Sequence, residues 1–104
     1  MPSPPVSPAA QAFGGRVRAR RHELGKSQEQ LAEACGLHWT FVGQVERGRR
    51  NISLHNILKI AAGLELDAGD LVRGLRAPES LASRNRRGSQ SASPDGIVGQ
   101  QPRA

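Results

Sequence analysis

The side chains in this sequence that could do covalent or metal chemistry do not group. His22, His38 and His55 fall on three separate predicted elements, and with Cys35 they offer no zinc-ligand spacing. No phosphate-binding glycine motif, nucleophile elbow or paired carboxylates are present, so no enzyme site, metal or cofactor is expected. What does group is hydrogen-bonding and cationic chemistry. Trp39, Thr40, Gly43 and Gln44 share the exposed face of a short helical pattern, an odd set for a merely solvated surface. Arg49, Arg50 and Asn51 follow it as a basic loop.

Composition narrows the partner. The 104 residues carry 15 Lys and Arg against 9 Asp and Glu, a net charge of +6, which implies one small domain with a polyanionic partner. Nucleic acid is the first such partner and a membrane surface its rival. No run approaches the roughly 18 apolar residues of a spanning helix. The opening MPSPPVSPAAQ has neither a basic n-region nor an apolar h-region, so a cytoplasmic protein is expected. A single cysteine rules out an intramolecular disulfide, and Cys35, late in an apolar helical pattern, reads as a small core hydrophobe.

Short helical patterns on either side hold the exposed set in place. Residues 1–11, rich in Pro, Ser and Ala and without a charged side chain, predict a disordered leader. From Ala12 to Leu24, Phe13, Val17 and Leu24 share one helical face among Arg16, Arg18, Arg20 and Arg21, while Gly14 and Gly15 weaken the first turn. Gly25 suits the position past that helix. Ser27 and Gln30 form a capping box, so a second helix starts at Gln28, buries Leu31, Ala32 and Cys35, and stops at Gly36. His38 then stands at an N-cap, and Trp39 to Arg47 turn Val42 and Val45 inward, with Phe41 partly buried and Gly48 as the stop. Ser53 caps a fourth helix built on Ile57, Ile60, Ala61 and Leu64, with Ile52 and Ile57 spaced as a hydrophobic staple. A fifth fits Ala68 to Arg73, with Asp67 as cap, Asp70 as its capping-box partner, and Leu71 and Val72 as anchors. Residues 77–104 turn to Ser, Gln, Arg, Gly and Pro without sustained period and predict a disordered basic tail. The prediction is an all-α domain over residues 12–76, small enough that every apolar position matters.

Within it, SQEQLA, Ala32 four residues before Gly36, Val42 and Val45, QVERG, RRNIS and NILKIAAGLEL together resemble the helix-turn-helix of the XRE family, the Cro and phage-repressor type. The likeness covers residues 12–75, with the helix-turn-helix at 28–47. It implies a compact five-helix lambda-repressor-like fold that binds double-stranded DNA, its third helix entering a major groove about 12 Å wide. It assigns base contacts to Trp39, Thr40 and Gln44, and phosphate contacts to Gln28, Arg49, Arg50 and Asn51. Trp39 departs from the small polar or amide side chains usual there. Gln44 suits a bidentate pair with adenine and Thr40 a hydrogen bond or a thymine methyl, while Trp39 offers apolar contact or an indole donor. Arg21 and Glu46 match a buried structural ion pair. The family implies a transcriptional regulator, most simply a repressor binding a pseudo-palindromic operator as a dimer. A restriction-modification controller or antitoxin-like autoregulator is the alternative, and a protein-interaction module a third reading. Leu66, Leu71, Val72 and Leu75 either form a homodimer patch or complete the monomer core.

Overall fold

The structure, a computed structural model, describes residues 4–77. These form five helices: α1 (Pro8–Glu23), α2 (Gln28–Cys35), α3 (Trp39–Glu46), α4 (Leu54–Gly63) and α5 (Ala68–Val72). No strand occurs among the described residues. Each helix begins where a side chain takes up an orphan amide of its first turn. Ser27 and Gln30 close a full capping box on α2, Ser53 accepts from the Asn56 amide on α4, and the His38 imidazole accepts from the Thr40 amide on α3.

One helix start and one capping box differ from the expectation. Helix α1 begins at Pro8, so the leader foreseen over residues 1–11 is too long by at least the residues from Pro8 to Gln11. Ser7 accepts from the Ala10 amide and Pro8 fills the first turn, where its missing N–H costs nothing. The Val6 amide also donates to the Gly48 carbonyl at 2.8 Å, tying this segment to the turn after α3. At α5, Asp67 caps through the Gly69 amide, but Asp70 does not reach back to it. Asp70 pairs with Arg73 at 3.0 Å instead. The tail expected over residues 77–104 lies, beyond Ala77, outside the described residues.

Phe13, Val17, Leu31, Ala32, Cys35, Val42, Val45, Ile60, Ala61, Leu64 and Leu71 make one core, with Leu24, Leu37, Phe41, Ile52, Ile57, Leu66, Ala68 and Leu75 packed around it. At α2 and α3 alike, eight residues are too few to hold a helix alone, so this packing holds them. Gly36 takes φ 72°, the left-handed turn that lets α3 fold back across α2. Gly14 does more than weaken a turn. A Cβ there would sit 2.2 Å from the Val45 carbonyl oxygen and 2.7 Å from that of Glu46, so the missing side chain is what lets α1 and α3 touch.

Basic residues before α2 also tie the ends of α4 and α5 into the bundle. Arg20 donates to the Leu64 and Glu65 carbonyls at 2.9 and 3.2 Å, and Lys26 donates to Gly63 at 3.2 Å, satisfying the end of α4. Arg16 does the same for the Leu71 and Arg73 carbonyls at 3.2 and 2.8 Å. Burial beside the Ile60 carbonyl pushes the Cys35 thiol up, which keeps it a protonated core group.

Candidate nucleic-acid interface

Helix α3 projects its first turn. Trp39 is 51% exposed, Thr40 is exposed and Gln44 is half-buried at the edge of the same face. Gly43, foreseen on that face, is buried instead, beneath Gln28 and Arg47. At eight residues the helix is about 12 Å long, short enough to enter a groove end-on. Trp39 is not adrift: its ring stacks on His38 with centroids 5.9 Å apart and planes at 25°, and His38 is itself fixed by the Thr40 amide at 3.1 Å.

The basic loop folds directly under α3. The Arg49 amide donates to the Gln44 carbonyl at 2.9 Å, placing Arg49 beside the exposed face. The Arg50 guanidinium lies 5.0 Å from the Phe41 ring centroid, a cation–π contact that holds its charge near the surface, and Asn51 is exposed next to it. The loop is thus tied to α3 at Gln44 and at Phe41.

Arg21 and Glu46 lie beneath. Arg21 Nε and Nη2 donate to the two carboxylate oxygens at 2.6 and 3.0 Å, and Nη1 donates to the Lys26 carbonyl at 2.9 Å. Only 9% of the Arg21 side chain and 3% of the Glu46 side chain meet solvent. The hydrogen bond to Glu46 raises the Arg21 pKa above its ordinary value, so the charge persists despite burial. Gln28 joins this pair, its Nε2 donating to Glu46 Oε1 at 3.1 Å. The first residue of α2 and the last of α3 are thus locked to α1 by one carboxylate.

Around that lock lies a polar cleft of about 240 Å³, lined by Arg18, Arg21, Gln28, Glu46 and Arg47. Neither Arg18 nor Arg47 was singled out by the sequence. Arg18 read there as one of the helix-1 arginines and Arg47 as the end of the third helix, and only the packing of three helices brings them to one cleft.

The sequence profile of the helix-turn-helix family matches residues 17–71, from the middle of α1 into α5. The chain belongs to the helix-turn-helix family. Within it, this helix-turn-helix protein is 46% identical over 61 residues to the control protein C.BamHI of Bacillus amyloliquefaciens, an overlap of 58% of this chain and 75% of that one. It superposes on the restriction-modification controller protein C.AhdI of Aeromonas hydrophila with a TM-score of 0.59 and 48% identity, over 60% of this chain and 94% of that one. The controller C.Esp1396I, solved bound to a 19 base pair DNA duplex, matches with a TM-score of 0.60 and 28% identity, over 66% of this chain and 92% of that one. This helix-turn-helix protein is a DNA-binding regulator. No helix among the described residues is long and apolar enough to cross a membrane.

Proposed function

We propose that this regulator reads a pseudo-palindromic operator as a homodimer, with Trp39, Thr40 and Gln44 facing base edges and Gln28, Arg49, Arg50 and Asn51 facing phosphates. The observation that carries the reading is the exposed first turn of α3 together with a basic loop tied to that helix at Gln44 and Phe41. Phosphate contacts set register and base contacts set sequence, and this surface offers both.

Two-fold binding needs a self-complementary patch. Leu71 is 1% exposed and Leu66 and Leu75 pack against the core, so of the four residues considered for that role only Val72 is exposed. The exposed leucines are on α4, where Leu54 and Leu58 stand one turn apart at 71% and 51% exposure. Those two side chains are the better seed of a symmetric contact. The 19 base pair duplex bound by C.Esp1396I spans nearly two helical turns, which leaves room for half-sites one turn apart.

All three of these relatives bear control or controller names, which favours a controller acting on its own operon over an unlinked repressor. Selection of bound duplexes from a random pool, followed by footprinting, tests the whole reading. A palindromic consensus protected on two successive major grooves, and present upstream of the chain's own coding sequence, is the expected result. An asymmetric site with single-groove protection refutes the dimer, and failure to enrich any sequence refutes specific readout.

A further inference from the structure

We infer that an apolar pocket between the N-terminal segment, the loop after α3, the start of α4 and the end of α5 binds a small carboxylate with an apolar body, of the medium-chain fatty acid type, and that the bound anion takes Arg50 from the DNA. The inference goes beyond the DNA-reading assignment above and rests on it for the role of Arg50.

The pocket holds about 300 Å³, at the small end of the range for ligand sites, about 300–1,000 Å³. Val6, Ala10, Phe13, Ile57, Val72 and Leu75 give it apolar walls. Val6 and Val72 are exposed while Phe13 is buried, so the pocket runs from the surface toward the core. The wall contributed by the N-terminal segment is fixed in place. Ser7 accepts from the Ala10 amide at 3.0 Å, and the Val6 amide donates to the Gly48 carbonyl at 2.8 Å. This segment also lies close on the turn after α3, where a Cβ on Gly48 would stand 2.8 Å from Gln11 Cα.

One side of the pocket is polar and cationic. Arg50 and Asn51 line it, and no acidic side chain does. The ion pairs among the described residues are Arg20–Glu23, Arg21–Glu46 and Arg73–Asp70, so Arg50 belongs to none of them. Its guanidinium touches the protein through the Phe41 ring, 5.0 Å from the centroid. A planar guanidinium matches a carboxylate with two parallel hydrogen bonds, and Asn51 carries amide donors beside it. An aliphatic body satisfies the walls and a carboxylate head satisfies Arg50, which is the chemistry of a fatty acid.

The pocket belongs to this chain more than to its family. Val6, Ala10, Phe13, Val72 and Leu75 all lie outside residues 17–71, the stretch that the family profile matches. The loop residues Arg50 and Asn51 connect it to the proposed DNA-binding surface. A ligand carboxylate and a DNA phosphate compete for one guanidinium, so each lowers the affinity for the other by the same factor.

The test titrates the full chain with octanoate, and with uncharged octanamide, by NMR of its backbone amides without DNA. Octanoate should give saturable shifts centred on Val6, Ala10, Ile57 and Leu75, with octanamide binding about tenfold more weakly because it lacks the charge. Arg50→Gln should remove that difference, and because Arg50 is exposed this variant leaves the core untouched. Ala10→Phe fills the pocket and should abolish binding of both compounds while keeping the thermal midpoint and the operator affinity. Saturating octanoate should lower the operator affinity of the wild type at least about fivefold, and that of Arg50→Gln not at all. Shifts that scatter over the surface without saturating, equal binding of octanoate and octanamide by the wild type, or operator affinity untouched by octanoate overturns the inference. Binding that emerges only when residues 78–104 are removed, or only at dilutions where dimers part, gives the pocket to the chain's own tail or to a second copy and overturns it as well. The octanoate titration needs no DNA, so failure of the pocket and failure of the α3 reading are seen separately.

Discussion

Glu46 shows how much one side chain can settle. Its carboxylate binds Arg21 twice and Gln28 once while nearly dry. Removing one partner of such a pair leaves the other as an uncompensated buried charge. Glu46→Leu should therefore cost about 3–5 kcal/mol, and Arg21→Met with Glu46→Leu should recover most of it. Urea melts of the two variants decide this, and equal stabilities would show that Arg21 and Glu46 do not act as a pair. At the surface the scale of effect differs. Gln44→Ala should leave the melt unchanged, cost about 1–3 kcal/mol on the preferred site and relax selection at one base pair. Operator and random duplex losing affinity equally would place Gln44 outside the base contacts. The residues Arg21 and Glu46 were visible in the sequence only through the family pattern, since nothing in their 25-residue separation announces a contact. Nothing local showed that Arg18 and Arg47 share one cleft.

At the scale of elements, caps and turns were legible because their chemistry is local. Ser27, Gln30, Gly36 and Ser53 act within one turn of where they stand. The start of α1 was equally local, in Ser7 and Pro8, but was masked by a composition that resembles a disordered leader. Gly14 and Gly15 separate what local reasoning can and cannot reach. Both look like helix-weakening glycines, yet a Cβ at Gly15 meets nothing within 4 Å whereas one at Gly14 strikes the α3 backbone. Gly15→Ala should stabilise the fold by about 0.5–1 kcal/mol. Gly14→Ala should destabilise it by about 1–3 kcal/mol or more, because backbone and not a flexible side chain would have to move. Thermal denaturation of the two variants checks both signs, and a stabilising Gly14→Ala would mean the α1–α3 approach is looser than described.

For the whole molecule, the question is what two copies share. Leu54→Glu with Leu58→Glu should leave the monomer melt within about 0.5 kcal/mol, since both side chains are exposed, yet abolish two-site binding to a palindrome. Analytical ultracentrifugation and a half-site duplex measure this. Dimers persisting in the variant would move the interface elsewhere. Removing residues 78–104 should lower affinity evenly through lost arginine charge and leave the preferred sequence unchanged, which repeated selection on the truncated chain would show.

The sequence by itself determined the helices, their order, most of their caps and the family, because helical period, capping chemistry and turn glycines act over a few residues. The tertiary structure alone decided that Leu71 serves the core, that Gly14 is a helix crossing and that Gln28 hangs on Glu46. The DNA-reading stretch also differs from its local pattern in Gly43, which packs inward under Arg47. Arg18 and Arg47 line one cleft only once α1, α2 and α3 are packed, since no local spacing brings residues so distant in the chain together.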